Sequence, residues 1–571
     1  MGKVNRREFF EELIDTQVDN KASGTDKLFH KYANKKLPTH LAKTTSGLNP
    51  YSGPWTETQV IHLLRRTTFG LKTADITTLL ALTPGAAVDI LLNNIPTTPP
   101  APPVNNYDTT SYSDPTGVTL GQTWVNAAYG DGTVNGKRRL SFKSWWMGLI
   151  VNENLSILEK MVFFWHNHFA TETVAVNTAR FAYEHNALLR ANALGDFKAL
   201  VKSVSIDPAM LIYLNGYINT KAAPDENYAR ELQELFTLGK DNVPNYDEDD
   251  VKAAARVLTG WRVNHTTNTS YFDATKHDTA NKVFTSFYNN TVINYQSGAN
   301  GANETDELID MIFSKVECAK FLCRKLYRFF VYYYIDSTVE TNIIDPLANT
   351  LIANNWQVKP VLAQLLKSDH FYEANSMGCF IKTPVDFLAG MFKTFGVTVP
   401  ASFTVDKTYA VWNYLRSYGS TLALDLGDPP NVSGWPAFYQ VPEFYEAWIN
   451  SNTLPKRMAF GDMMLSSGFN AGTGTAIKID ILAFTKTCPD ADDPDLLVDY
   501  FVKLLFGIGV SSTKKAAYKS ILLSGQAANY YWTIAWSDYL NTPNATNTGI
   551  VKTRLTSLVT EMLRMAEHQL C

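Results

Sequence analysis

Apolar positions recur along this chain at steps of three and four residues, the spacing of amphipathic helices. Val60, Leu63 and Leu64 fall on one side of the segment from Trp55 to Thr67, with Arg65 and Arg66 on the other, and Phe69-Gly70 closes it as a glycine C-cap would. Thr83-Pro84 supplies a cap and a first-turn proline for a helix carrying Val88, Ile90 and Leu91. Asp247, with Asp250 three residues on, resembles a capping box and opens a helix running through Val251 and Val257 to Gly260. The same periodicity predicts helices over Glu304–Phe313, Val316–Tyr334, Val339–Ala353, Val358–Lys367, Pro384–Phe395, Asp493–Leu505, Thr513–Leu523 and Lys552–Gln569. Strand-like alternation is scarce. The pattern therefore predicts an all-α fold, a large multi-helix bundle with long irregular loops and at most a small β-hairpin. No repeat of fixed period supports a solenoid.

Three segments interrupt the helical pattern. Ile95 to Asp131 is rich in Pro, Thr, Asn and Tyr and is a candidate domain boundary. Asn264 to Asn303 is rich in Thr, Asn and Tyr, and the hairpin is expected there, between Asn264 and Tyr295. Ser466 to Gly474 is rich in Gly and Ser. Long irregular segments inside a compact domain are often functional or partner-facing. The expected organisation is an N-terminal extension over 1–54, a helical core over 55–460 and a C-terminal helical region over 461–571.

Composition narrows the class. The 571 residues are 45% hydrophobic and 12% aromatic, while only 19% are charged. That balance fits a large buried interior or an extensive partner surface and argues against long-range disorder. A net charge of −4 without a basic stripe excludes nucleic acid as an expected partner. Apolar runs such as Met161–Phe164 and Phe329–Tyr334 fall far short of the about 20 residues needed to cross a bilayer, so the chain is not expected to be transmembrane. Five cysteines without a CxxC pair exclude a zinc ribbon and a disulfide framework. Cys318 and Cys323 lie five apart in an expected helix, where their side chains diverge, so no bond between them is expected. Asn5-Arg6-Arg7-Glu8-Phe9-Phe10 is similar to a twin-arginine export motif, but the acidic Glu11-Glu12 follows where an apolar stretch belongs. It reads either as an ordinary helix start or as an export signal that has lost its apolar part.

Six blocks carry a family resemblance: His62–Gly70, Leu158–Phe169, Asp225–Gly239, Asp249–Trp261, His277-Asp278 followed by Lys282, and Pro429–Pro436. In their order, and over roughly Trp55 to Arg457, they resemble the bacterial family called domain of unknown function 1800. Asp225 departs from the Asn usual there, and Val283-Phe284 departs from the usual wording after the lysine. The resemblance implies a family without an established activity whose members are often exported, whereas the missing apolar signal segment points to the cytoplasm. It also implies a protein partner of the family called domain of unknown function 1501, whose genes often lie beside this one and which resembles the sulfatase and alkaline phosphatase superfamily.

The polar residues in these blocks admit two readings. His166 and His168 end an apolar helix, the wrong setting for an HNH nuclease. At i and i+2 they bind one metal only if the helix ends near Asn167. Asn227, Arg230, Glu231 and Glu234 lie on one helical face, which is costly to bury unless paired. His277-Asp278 and Lys282 lie in a polar loop, and Gly434-Trp435-Pro436 reads as a rigid turn with an aromatic anchor. In the enzymatic reading, a metal-dependent hydrolase or oxidoreductase, His166, His168, Glu231 and His277 hold zinc or iron. Asp278 then orients a ligand histidine, and Arg230 and Lys282 hold an anionic group. In the alternative, a binding or assembly protein, the same residues form a structural network. Both require His166, His168, Asn227, Arg230, Glu231, His277 and Asp278 to converge.

Overall fold

Thr56 starts the first described helix by a full capping box. Its hydroxyl accepts the Thr58 N–H, and Gln59 reaches back to the Thr56 backbone, so helix α1 begins at Glu57 and runs Glu57–Thr67. The computed structural model describes residues 46–240, 245–441 and 443–571, and the Arg6-Arg7 motif lies outside the described residues. The helices that position the polar blocks are α2 Gly132–Val151, α3 Leu158–His168, α4 Ala179–Ala191, α5 Glu226–Glu231, α6 Glu248–Val257, α7 Asn303–Phe313, α8 Val316–Phe330, α9 Pro384–Thr394, α10 Val405–Thr421 and α11 Pro494–Leu505. The fold is mostly all-α. Its sheet content among the described residues is two small antiparallel pairs, β1 Trp261–Asn264 with β2 Thr269–Phe272, and β3 Lys282–Val283 with β4 Val292–Ile293. The first hairpin starts three residues earlier than expected. No helix among the described residues is long and apolar enough to cross a membrane.

Arg65 and Arg66 are both buried. Arg65 donates to the carbonyls of Leu504 (2.9 Å) and Phe506 (2.5 Å), the exit of α11. Arg66 donates to the carbonyls of Phe329 (2.6 Å) and Phe330 (3.0 Å), the exit of α8. The last carbonyls of a helix lack intrahelical donors and carry the negative end of its dipole, so a guanidinium satisfies them well. Burial pushes Arg65 down to about 10, against an opposing pull from Cys571. Gly70 differs from the C-cap expectation. The cap is Thr68 in extended conformation, and Gly70, at φ +109°, lies where a Cβ would come within 2.4 Å of the Gly390 Cα. Glycine is needed there for the close approach of α9.

Helix α8 stops at Phe330, four residues short of the expected Tyr334, where its ending is fixed by Arg66. The predicted helix over 339–353 contains a π-helical turn, Glu340–Ile344. The capping box at Asp247 forms as predicted, and Asp250 is fully buried because it also accepts the Thr285 N–H (2.7 Å) and hydroxyl (2.7 Å). One carboxylate thus starts α6 and anchors the irregular loop.

Cys318 and Cys323 are free and fully buried, and burial raises both thiols far above their ordinary range. Native protein treated with iodoacetamide should leave both unmodified, with labelling only after unfolding. Peptide mass spectrometry checks this, and a disulfide-linked peptide would refute the helix geometry.

Candidate functional site

The nominated residues do not form one site. His277 and Lys282 meet Glu304, the second residue of α7. Glu304 and Lys282 have no exposed surface, and His277 is 1% exposed. Lys282 Nζ donates to Glu304 Oε2 at 2.5 Å and to the Asp278 carbonyl at 2.8 Å. His277 Nε2 lies 3.0 Å from Glu304 Oε1, while Nδ1 lies 2.8 Å from the Thr259 carbonyl. Asp278 is clasped by Arg256 (3.0 and 3.1 Å), and its N–H donates to the Thr259 hydroxyl. Burial pushes the Glu304 carboxyl upward, but hydrogen bonds from His277, Lys282 and the Gln296 N–H outweigh it and hold it below the ordinary carboxylate range. This cluster closes the loop between α6 and α7. Lys282 was expected to hold an anionic group. The group it holds is the chain's own Glu304.

Arg230 lies elsewhere. It donates to Glu248 (2.7 and 2.8 Å) and Glu226 (3.1 Å) at the protein surface. Glu248 is the first residue of α6, and Thr259, which binds His277, comes eleven residues later. At 1.5 Å per helical residue the two clusters sit about 16 Å apart at opposite ends of α6. The expected convergence of Arg230 with His277 and Asp278 is therefore corrected. Its premise was a buried charged face, and this face meets solvent: Asn227 is exposed and Glu234 pairs with exposed Lys240 at 3.4 Å. A π-helical turn, Leu232–Thr237, also shifts the register after Glu231.

That π-turn explains His168. Its Nε2 lies 3.0 Å from the Phe236 carbonyl, and Lys325 Nζ donates to the Leu235 carbonyl at 3.0 Å. The two carbonyls released by the turn are thus satisfied by side chains from α3 and α8. Burial lowers the imidazole far below its ordinary value, so it stays neutral. Burial likewise pushes Lys325 down to about 7, with Arg328 adding repulsion. The unfolded chain keeps that proton to about pH 10.4, so folding excludes a proton between about pH 7 and 10 and stability rises with pH in that window. Below about pH 7 both states are protonated and the penalty is fully present. The difference in unfolding free energy between wild type and Lys325→Met, followed by denaturant titration, should change by up to about 1.4 kcal/mol per pH unit there. A pH-independent difference would contradict the assignment.

His166 sits in a third environment, where blocks from α3 and from Pro429–Pro436 meet. Its ring lies 6.2 Å from that of His185 and 6.0 Å from Trp435. Trp435 is stacked on Phe163 at 5.1 Å, and its N–H donates to Asn167 Oδ1 at 2.9 Å. Nearby, Lys143 of α2 pairs with Asp428 and, at 3.0 Å, with Asp425, which also binds Arg416 of α10 at 3.0 Å. Asp428 accepts the Thr173 N–H at 2.5 Å. Burial pushes Asp428 upward, yet Lys143 and Thr173 hold it below the ordinary range. His185 faces Asp207 (2.9 Å) with Nδ1 and the Phe169 carbonyl (3.1 Å) with Nε2. Glu231 reaches the edge of this region: the Tyr213 phenol is raised by burial, then by Glu172, and in smaller measure by Asp428 and Glu231. Burial, then Glu234, raises Glu231 itself.

The residues proposed for zinc or iron are thus divided among three environments. Among the described residues no three histidine, cysteine, aspartate or glutamate side chains stand together to hold a metal. Two open clefts, of about 540 and 680 Å3, are lined by none of the nominated residues. The first is walled by His62, Arg65 and Tyr500, the second by Lys72, Lys393 and Lys478.

Several groups had a signal that periodicity does not read. Glu159 and Lys160 are isolated charges in the apolar run of α3. They pair with Arg190 of α4 and Asp386 of α9. Glu153 accepts from Lys393 (2.5 Å) and the Phe69 N–H (2.7 Å). A charge inside an apolar helix implies a partner from elsewhere. Asp225 caps α5 by accepting the Asn227 N–H at 2.8 Å, a role Asn performs equally well, which accounts for the exchange.

Fold and contacts together define an all-α protein whose helices are tied by buried ion pairs. The chain belongs to the family described as protein of unknown function (DUF1800), whose model matches residues 62–569. No curated protein and no solved structure matches it.

Proposed function

We propose that this chain is a non-catalytic binding or assembly protein whose polar blocks are framework. One observation carries the reading: the side chains best suited to chemistry are already engaged by other parts of the same chain. Lys282 is bound to Glu304, His277 lies between Glu304 and Thr259, Asp278 is held by Arg256, and His168 caps the π-turn. A catalytic group needs access to substrate, and Lys282 and Glu304 have no exposed surface. The partner implied by the family resemblance is a sulfatase-like protein of the domain of unknown function 1501 family.

Sedimentation of the full chain with a purified protein of the domain of unknown function 1501 family tests this reading. A stable complex that survives Lys282→Met in any folded fraction supports it. No association, together with turnover of a sulfate or phosphate ester by the chain alone, contradicts it. A second reading, acid–base catalysis, is favoured by His166, a buried imidazole that meets no other side chain in hydrogen-bonding geometry and lies against the Gly427 backbone. On that reading His166→Phe abolishes turnover while the thermal midpoint is kept.

A further inference from the structure

The larger of the two open clefts, of about 680 Å3, lies where helix ends from distant parts of the chain meet. Val151 and Asn152 come from the exit of α2, and Lys393 to Gly396 from the exit of α9. Lys72 and Thr73 come from the start of the helix Thr73–Leu80, and Ile477 to Asp480 from the segment before the helix Ile481–Lys486. The volume is that of a site for a small organic molecule. One part of the lining is apolar. Val397, Val399 and Pro400 are half-buried, and buried Phe395 packs edge-on against Phe484 at 4.8 Å. The charged part is one-sided, because Lys72, Lys393 and Lys478 line the cleft with a single carboxylate, Asp480.

The charges differ in how far the protein answers them. Lys393 is buried and pairs with Glu153 at 2.5 Å. Lys72 donates to the Glu153 carbonyl at 2.9 Å, and Asp75 stands near both lysines, its carboxyl raised by burial against their pull. Asp480 accepts the Ala483 N–H at 3.0 Å and so serves the start of its own helix. Lys478 is exposed, and among the described residues it makes neither an ion pair nor a hydrogen bond. With Glu153 and Asp75 set against Lys393 and Lys72, the cation left to a ligand is Lys478. A cationic ligand would meet three ammonium groups, whereas an uncharged one would leave Lys478 without a partner. We propose that this cleft binds a small organic acid, its carboxylate paired with Lys478 and its apolar body laid along Val397, Val399 and Pro400. None of the six polar blocks lines the cleft, so the site stands or falls independently of the assembly reading. The ion pair is exposed and Asp480 is near, so Lys478 sets the preference for an acid while the apolar wall supplies most of the affinity.

Titration of the full chain with 1-naphthoate and with its uncharged analogue 1-naphthamide, followed by saturation-transfer NMR, tests the proposal. The expected result is saturable binding of 1-naphthoate below about 10 mM, with 1-naphthamide weaker by about three- to fivefold, the upper range for an exposed ion pair. Lys478→Gln should weaken 1-naphthoate by the same factor and leave 1-naphthamide unchanged. Ala483→Trp, which fills the cleft from an exposed position, should remove binding of both compounds. Lys552→Gln, on the exposed face of the helix Ala545–Arg564, should change nothing. The proposal is overturned if 1-naphthoate does not saturate, if the two compounds bind equally, or if either Lys478→Gln or Ala483→Trp binds 1-naphthoate as the wild type does. Should Ala483→Trp fail to fold, Lys478→Gln and the comparison of the two compounds decide.

Discussion

Lys282→Met lowers the stability of the folded chain by about 3–5 kcal/mol, the range for removing one partner of a buried ion pair. The effect comes from Glu304, which keeps only His277 and the Gln296 N–H and must be desolvated without its ammonium partner. Adding Glu304→Gln removes the stranded charge, so the double variant should recover a substantial part of the loss. Thermal and denaturant midpoints of the single and double variants measure this. If Lys282 served a ligand instead, Lys282→Met would leave the unfolding free energy within about 0.5 kcal/mol of wild type, as substitutions away from structural features do.

The second large effect is expected at Gly434, where two family blocks touch. Gly434 has φ +88°, and a Cβ there would stand 2.3 Å from Asn167 Oδ1 and 2.6 Å from the Asn167 carbonyl. Gly434→Ala meets two penalties. The left-handed backbone costs about 1–2 kcal/mol for a residue with a Cβ, and overpacking costs about 1–3 kcal/mol. Asn167 belongs to the last turn of α3, so relieving the clash pulls on the bond to the Trp435 N–H and on the Phe163–Trp435 stack. A loss of about 2–5 kcal/mol is expected, read by denaturant titration with tryptophan fluorescence. Asn167→Ala combined with Gly434→Ala should regain part of it, since the nearest colliding atom is then gone.

The helices were legible because their signals are local. Thr83-Pro84 and Asp247 with Asp250 start helices as their chemistry requires, and the 3.6-residue period locates the long elements. Helix ends fixed by tertiary contacts were not legible. Val316–Phe330 stops early because Arg66 takes its last carbonyls, and nothing within the segment announces an arginine from residue 66. The carbonyls that Arg65 and Arg66 bind, at the exits of two distant helices, are likewise invisible to periodicity.

The geometry of the polar blocks was not legible. Ideal helical spacing places Asn227, Arg230, Glu231 and Glu234 on one face that would need buried partners. The chain instead leaves that face near solvent, where Glu248 and Lys240 suffice, and winds a π-turn directly after Glu231. His168 and Lys325 then serve the carbonyls that the turn releases, a need no sequence pattern displays. Isolated charges such as Lys143, Glu159 and Lys160 were the better signal, because a charge in an apolar helix implies a partner even when its identity is hidden.

The central claim is that the polar blocks are separate clusters that hold the fold, so that Arg230 and His277 do not belong to one site. A double-mutant cycle on Arg230→Met and His277→Asn tests this most directly, with Lys282→Met and Glu304→Gln as the coupled pair for comparison. With the two residues at opposite ends of α6, the account predicts additivity within about 0.5 kcal/mol. A coupling energy above about 1 kcal/mol between Arg230 and His277 would contradict it.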